Sequence, residues 1–329
     1  MKNILFFLVI LMITVSCTKH DDILHGAGAT FPLPLYEVAF AEFQKTTGQK
    51  VVYEGIGSGA GIYKLKDRKT DFCATDILID PQHWDEEVVY IPTCIGAVAI
   101  TYNLPAKPVL NLSSELLANI FLGEITNWTD QRITKLNPDI ILPNQRILVI
   151  NRSDESGTSQ IFYDYLSKVS EKWNVRKPNP LKEIFAFYAK NNEDMANLVS
   201  DMFGSIGFIS LSYAMENNLA YGKIQNSSGN FVLPSMESTR AAAETVLLES
   251  IKIYITNTDV EFGYPISSFT WLAVYRDLKY LGSKKAGEII SLLNWMITDG
   301  QRYADPLNYA QLPAQSAAAA QKLIRTIKY

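Results

Sequence analysis

Short apolar segments alternate with helical periodicities along almost the whole chain, and this order limits the folds that the chain can adopt. It predicts an α/β protein with a mainly parallel sheet. The predicted strands span residues 51–53, 96–102, 147–150 and 206–209. The predicted helices span residues 34–45, 114–122, 158–169, 285–298 and 314–327.

The length of the chain favours two lobes over one. The chain has 329 residues and 47% hydrophobic content, and a single hydrophobic core stops growing at about this size. The sequence shows no linker that would divide it cleanly in two. We therefore expect the chain to cross between the lobes more than once.

The charge pattern excludes one class of partner. The formal net charge is -4, and Lys and Arg residues are not concentrated in any stretch. Binding to a nucleic-acid backbone needs a clustered basic surface, so nucleic acid is not an expected partner. A small anion stays possible, because helix dipoles and one or two cations suffice to bind it.

The N-terminus has the pattern of an export signal. Lys2 precedes an apolar run over residues 4–13, which is too short to span a bilayer. Small residues follow, and Cys17 stands where bacterial lipoproteins carry their acylated cysteine. The sequence predicts a signal peptide at 1–16 and a lipid-anchored tether at 17–23. The alternative is a plain signal peptide cut nearby, with Cys17 incidental.

Cysteine and histidine are scarce in the remainder of the chain. Cys73 and Cys94 lie in apolar, strand-like segments. In an exported protein they could form a disulfide or remain as two buried thiols, and the sequence leaves both open. Three histidines without a CxxC pattern give little basis for a metal site.

Three loops share one composition, with glycine and hydroxyl residues directly before a helix. They lie at residues 26–31, 55–61 and 152–159. A helix start presents unpaired N–H groups and a positive dipole end, and Arg152 adds a planar fork of donors. The hydroxyl donors of the three loops are Thr30, Ser58, Ser156 and Thr158. If the loops converge, they form a cage for a small tetrahedral anion.

A competing hypothesis rests on the second loop. Gly55, Gly57 and Ala60 fit the G-x-G-x-x-A fingerprint of dinucleotide sites, with Asp76 at about the expected distance. The chain would then be an exported oxidoreductase that uses the loop from Gly55 to Ala60. An export signal argues against it, because nicotinamide cofactors are cytoplasmic. A weaker hypothesis is a phosphoester hydrolase, although the sequence lacks a G-x-S-x-G nucleophile motif.

Four segments together resemble the PstS family, the substrate-binding proteins of phosphate ABC importers. They are GAGATFP at 26–32, YEGIGSG at 53–59, DFCATD at 71–76 and RSDESGTS at 152–159. The resemblance implies a type II periplasmic-binding-protein fold of two α/β lobes, each a mainly parallel sheet flanked by helices, with two crossovers. Lobe I would comprise 24–102 plus 265–329, and lobe II 103–264.

The resemblance also implies a set of phosphate-binding groups. Thr30, the Phe31 N–H and Ser58 would bind from lobe I, where Asp76 would accept a hydrogen bond from the phosphate. The second lobe would contribute Arg152, Ser156, the Gly157 N–H and Thr158, with Asp154 orienting Arg152.

The same resemblance implies the biological setting. The expected function is binding of inorganic phosphate and its delivery to the membrane subunits of an ABC permease, without catalysis, cofactor or metal. We expect an exported monomer in the periplasm or at the cell surface, held to the membrane by its lipid anchor. Another oxyanion, such as sulfate or molybdate, is the alternative ligand.

Three positions depart from the family pattern. Glu155 stands where glycine is common and adds a negative charge near the anion site. Cys73 replaces a small residue, and residues 191–194 lack the glycines often found there. These departures bear on affinity and lobe closure more than on the identity of the ligand.

Overall fold

The computed structural model describes residues 23–78, 87–175, 186–244 and 253–329. The predicted signal peptide, Cys17 and the tether up to residue 22 lie outside the described residues.

The described ranges contain helices and strands in alternation. The α-helices are α1 Leu33–Thr47, α2 Ser58–Lys66, α3 Ser114–Phe121, α4 Gln131–Leu136, α5 Gly157–Val169, α6 Glu171–Val175, α7 Asn192–Asp201, α8 Leu211–Glu216, α9 Met236–Ala243, α10 Ser283–Met296 and α11 Ala314–Ile324. The strands are β1 Ile23–Gly28, β2 Lys50–Gly55, β3 Phe72–Thr75, β4 Val88–Tyr102, β5 Asn111–Leu112, β6 Leu148–Arg152, β7 Ala186–Ala189, β8 Ser205–Ser210, β9 Ala220–Tyr221, β10 Lys223–Gln225, β11 Phe231–Val232, β12 Tyr254–Thr256 and β13 Ile266–Tyr275.

Two groups of strands are joined by one long strand. The order along the main sheet is β2-β1-β3-β13-β4-β8-β6-β7. The first part of β4, up to Ala97, pairs with β13, and the second part, from Val98, pairs with β8. Each group is covered by its own helices, which gives the two-lobed α/β fold that the sequence predicts.

The strand pairing is parallel at the outer strands and antiparallel at the junction. Strand β1 pairs in parallel with β2 and β3, and β6 does so with β7 and β8. The long strands β4 and β13 are antiparallel to each other and to their neighbours β8 and β3. Both are buried along their whole length.

The predicted strand at 96–102 is too short. The strand begins at Val88, and the sequence obscures this because Pro92 interrupts the apolar run. Proline cannot donate to a sheet ladder and is tolerated at bulges. Here the register shifts between Thr270 and Trp271, so that Pro92 faces Trp271 and Cys94 faces Thr270. Thr93 is the extra residue that absorbs the shift.

Several other boundaries differ by a few residues. The helix predicted at 285–298 spans Ser283–Met296, and that predicted at 314–327 ends at Ile324. The strand predicted at 147–150 continues to Arg152. This last difference has a functional consequence, since it places Arg152 at the end of a strand, directly before a helix-opening loop.

The C-terminal segment packs on the first group of strands. Ile95 and Ala310 exchange backbone hydrogen bonds of 3.0 and 2.8 Å. The Tyr309 hydroxyl donates to the Phe31 carbonyl at 2.6 Å. Described residues from the early and the late part of the chain therefore pack together beside the first group of strands.

The two described cysteines are free thiols. Cys73 lies in β3 and Cys94 in β4, and both are buried. Of the two alternatives left open by the sequence, the structure shows the buried thiols. Burial raises the pKa of both groups, so they stay protonated near neutral pH. None of the helices within the described ranges has both the length and the apolar character needed to cross a membrane.

Candidate functional site

The three glycine and hydroxyl loops meet at one cleft between the lobes. The Gly59 N–H of the first lobe donates to the Glu155 carbonyl of the second at 3.0 Å. A Cβ atom built on Gly157 would lie 2.5 Å from Asp76 Oδ2 and 2.6 Å from Ser58 Oγ. The start of α5 therefore lies directly against the start of α2 and the end of β3, in a closed arrangement.

Glycine at position 157 is required by this closeness. Contacts below 3.0 Å are essentially never made by a real Cβ atom, so any side chain here would force the lobes apart. Gly57, in the loop at residues 55–61, is also required to be glycine. Its φ is +95°, and a Cβ there would lie 2.8 Å from Asp154 Oδ2.

Arg152 is buried and held in one orientation. Its side chain is 1% exposed. Nε donates to Asp154 Oδ1 at 2.8 Å and Nη2 to Asp154 Oδ2 at 2.7 Å, a bidentate pair. The third nitrogen, Nη1, is buried without a partner among the described residues. This nitrogen is a charged donor directed at the cleft, and buried polar groups of this kind are normally hydrogen-bonded.

Asp76 follows β3 and is 1% exposed. Its Oδ1 accepts a hydrogen bond of 2.6 Å from the Thr270 hydroxyl, and its Oδ2 lies 3.4 Å from Ser58 Oγ. Burial raises the pKa of Asp76 to about 7, against the lowering effects of the hydrogen bonds from Thr270 and Ser58 and the charge of Arg152. The carboxyl group can therefore accept or donate a hydrogen bond near neutral pH.

The register shift between β4 and β13 supports Asp76. It occurs at Thr270, the residue whose hydroxyl binds the Asp76 carboxyl group. Thr93, beside it, donates to the Thr270 carbonyl at 3.2 Å and hydrogen-bonds the Tyr36 hydroxyl at 2.6 Å. The bulge thus holds Thr270 in place, and Thr270 in turn holds the Asp76 carboxyl group.

Two serine hydroxyls of the cleft accept hydrogen bonds from backbone N–H groups. Ser58 Oγ accepts from the Asp76 N–H at 3.2 Å, and Ser156 Oγ accepts from the Ser159 N–H at 3.2 Å, as the N-cap of α5. A hydroxyl has one proton, and a backbone N–H can only donate. Each serine therefore keeps its proton for another acceptor.

Two threonine hydroxyls are arranged in the same way by a side chain. Asn192 Nδ2 donates to Thr30 Oγ1 at 2.9 Å and lies 3.4 Å from Thr158 Oγ1. Thr30 and Thr158 are 4% and 2% exposed, so both contacts are buried. Thr30 belongs to the first lobe, whereas Asn192 and Thr158 belong to the second.

Asn192 was missed by the sequence analysis, which noted residues 191–194 only for their lack of glycine. A usable signal was the pair of asparagines at a helix start. One can cap the helix, and the Asn191 side chain does so by accepting from the Asp194 N–H at 2.8 Å. The side chain of Asn192 is therefore not needed as the cap of α7.

Phe31 lies between Thr30 and the start of α1, with its ring in the core. The ring is 0% exposed and meets Tyr309 edge-on at 6.3 Å between ring centroids. The side chain therefore fixes the loop, and a phosphate contact from this residue would be made by its backbone N–H.

The Glu155 carboxylate lies beside the start of α2, next to Ser58. Glu155 is exposed, and a Cβ atom on Gly59 would lie 2.2 Å from Glu155 Oε2. Its carboxylate thus lies over the start of α2, where a negative charge is favourable beside a helix N-terminus. The contact across the lobes at this place is made by the Glu155 backbone carbonyl, which accepts from the Gly59 N–H.

The strand order contradicts the dinucleotide hypothesis. In that fold the strand carrying the acidic residue pairs directly with the strand before the glycine loop. Here β3, which precedes Asp76, pairs with β1, and β1 separates it from β2. Asp154 from the other lobe also lies against Gly57 of the glycine loop.

Comparisons with known proteins place this geometry in a class. A model of the PBP superfamily domain matches residues 16–299. The chain is 38% identical over 302 residues to the phosphate-binding protein PstS of Haemophilus influenzae, covering 88% of each chain. It is 35% identical over 319 residues to PstS of Pasteurella multocida, covering 94% of this chain and 91% of the relative.

A solved structure shares the fold. It is a putative phosphate ABC transporter substrate-binding protein from Clostridium perfringens with bound phosphate, with a TM-score of 0.66 and 16% identity over 88% of this chain and 100% of that one. The chain belongs to the PstS family of phosphate-binding proteins, within the PBP superfamily.

The pKa of Asp76 generates a prediction on anion selectivity. Sulfate has no proton near neutral pH, so ionised Asp76 repels it, whereas protonated Asp76 can donate to it. Sulfate affinity of the wild type should therefore rise as the pH falls from 8 to 6, through the pKa of about 7. Phosphate keeps a proton throughout, so its affinity should change less. Asp76→Asn should retain phosphate binding and remove most of the pH dependence for sulfate.

Competition calorimetry at pH 6 and pH 8 measures both effects. Asp71→Asn is the matched control, because Asp71 is also buried but binds the His25 N–H and Lys285. It should leave the phosphate-to-sulfate ratio unchanged. An equal ratio in wild type and Asp76→Asn at both pH values would show that Asp76 does not discriminate between the anions.

Proposed function

We propose that this protein binds inorganic phosphate outside the cytoplasm and delivers it to the membrane subunits of an ABC permease. The observation that carries the proposal is the direction of the hydrogen bonds made by the hydroxyl groups in the cleft. Four buried hydroxyls accept from N–H groups. This leaves the protons of Thr30, Ser156 and Thr158 available to an anion, whereas Ser58 also donates to Asp76. The names of the relatives, which are phosphate-binding proteins, support the same ligand.

Eight residues form the proposed site. They are Thr30, Phe31, Ser58, Asp76, Arg152, Ser156, Gly157 and Thr158. The hydroxyls, the N–H groups of Phe31 and Gly157, and Arg152 Nη1 donate to phosphate oxygens. Asp76 accepts a hydrogen bond from the hydroxyl group that phosphate retains. Asp154 orients Arg152 through its two hydrogen bonds.

Phosphate is favoured over sulfate and molybdate by Asp76. A carboxylate facing a fully deprotonated oxyanion leaves two acceptors opposed in a dry cleft, so sulfate binds only when Asp76 is protonated, and the cost of that protonation grows as the pH rises above the Asp76 pKa of about 7. Phosphate avoids this cost because it carries a proton. Selectivity thus comes from a group that penalises the wrong anion.

The proposal keeps the lobe boundaries that the resemblance to the PstS family implies. Lobe I comprises 24–102 plus 265–329, and lobe II comprises 103–264. The division at residue 102 follows the end of β4, and that at 265 precedes β13. The pairing partner changes within β4, between Ala97 and Val98, and rotation at this junction would open the cleft.

The cleft is proposed to bind and release its ligand without catalysis. The carboxyl group of Asp76 is engaged by Thr270, and the serine hydroxyls are engaged by backbone N–H groups. Such hydroxyls are donors to an anion and not activated nucleophiles. The protein would act as an exported monomer, with Cys17 acylated and residues 17–23 as the tether to the membrane.

Removal of Arg152 tests the phosphate site directly. Arg152→Ala should weaken phosphate binding at least about tenfold, because each charge-assisted hydrogen bond contributes on the order of 1.5–3 kcal/mol. Arg152→Lys should recover part of the loss, since it keeps the charge but not the fork. Calorimetry with inorganic phosphate, after bound ligand has been removed, measures both.

Arg132→Ala is the control for this experiment. Arg132 makes the same bidentate contact with Asp130, at 2.9 and 2.7 Å, on the surface of the second lobe. Its loss should leave phosphate affinity unchanged. Wild-type phosphate affinity in Arg152→Ala, with the fold intact, would remove Arg152 from the proposed site.

The anchor is tested by a second substitution. Cys17→Ala should release the protein from membranes into the soluble fraction of a host that acylates lipoproteins, because the acylated thiol is lost. Thr18→Ala keeps the thiol and should stay with the membranes. Fractionation and the mass of the mature chain provide the readout. A Cys17→Ala chain that remains in the membrane fraction with unchanged mass would show that Cys17 is not the anchor.

A further inference from the structure

Asn192 is not among the proposed phosphate-binding residues, but its side chain contacts two of them. It is 0% exposed and lies at the first residue of α7. The cap of this helix is Asn191, so the Asn192 side chain is not needed there. Its amide instead reaches Thr30 in one lobe and Thr158 in the other.

The orientation of the amide follows from a third contact. The Ser210 N–H donates to Asn192 Oδ1 at 3.2 Å. A backbone N–H is always a donor, so the oxygen of the amide must face Ser210 and its nitrogen must face the threonines. This assignment does not depend on the position of any hydrogen atom.

The orientation of the threonine protons follows in turn. An amide nitrogen can only donate, so Thr30 Oγ1 and Thr158 Oγ1 both accept from Asn192. Each hydroxyl then has its own proton directed elsewhere. Without Asn192, either hydroxyl could turn its proton to another neighbour and present a lone pair to the anion.

We infer that Asn192 is a positioning residue for phosphate, which sets the Thr30 and Thr158 hydroxyls as donors and ties the two lobes together when the cleft closes. The inference rests on the proposed function, since it assumes that both hydroxyls bind phosphate. Asn192 itself need not touch the ligand, and its effect on affinity passes through the two threonines.

A double-mutant cycle separates this role from a structural one. Asn192→Leu, close in shape, should weaken binding of inorganic phosphate about tenfold or more. In a Thr30→Val, Thr158→Val background the same change should weaken binding less than about twofold, because the hydroxyls it positions are gone. Calorimetry on the full chain gives the four affinities, and melting without phosphate confirms folding.

Two further variants keep the test decisive. Asn192→Ala can replace Asn192→Leu in the same cycle if the leucine variant does not fold. Asn191→Ala removes the cap of the same helix, and it should lower the melting temperature while leaving phosphate affinity within about twofold. If Asn191→Ala weakens phosphate binding as much as Asn192→Leu does, the effect belongs to the helix and the inference is overturned.

The outcomes for the inference and for the proposed function are distinct. A wild-type chain that does not bind phosphate overturns the proposed function and the inference together. A wild-type chain that binds phosphate, with equal losses from Asn192→Leu in both backgrounds, overturns the inference alone. Loss confined to the background with intact threonines supports it.

Discussion

A small anion that enters a closed cleft gives up its hydration shell, and every lost hydrogen bond must be replaced by a donor of the protein. This requirement determines the arrangement of the site. Hydroxyl groups can donate or accept, so each must be fixed as a donor. Backbone N–H groups fix Ser58 and Ser156, and the Asn192 amide contacts Thr30 and Thr158. Asp76 is the exception, and a proton on the ligand accounts for it.

The same groups that prepare the site also hold the lobes together. Gly59 binds Glu155 through the backbone, Asn192 reaches across to Thr30, and Gly157 packs on Asp76 and Ser58. Closure of the lobes and completion of the proposed site thus depend on the same contacts. The strand β4 pairs in both groups of strands and so connects them.

The sequence predicted the α/β class, two lobes and the three helix-opening loops, because apolar periodicity and glycine-hydroxyl composition are local signals. It did not predict the start of β4 at Val88, since Pro92 masks a strand whose irregularity is absorbed by a bulge. Asn192 was missed because its role depends on Ser210, Thr30 and Thr158, which are distant in sequence. The placement of Glu155 over α2 also depends on how the lobes meet. Apart from the paired asparagines at the start of α7, such contacts across the cleft have no local signature.

Identification of the ligand carried by the native protein tests the central claim most directly. The full chain, purified in buffers without phosphate and then denatured, should release about one inorganic phosphate per chain, as measured by phosphate assay and by mass spectrometry of the intact complex. This follows from a buried, donor-rich cleft that releases its ligand slowly. Release of sulfate, or of a nucleotide that absorbs in the ultraviolet, would contradict the account.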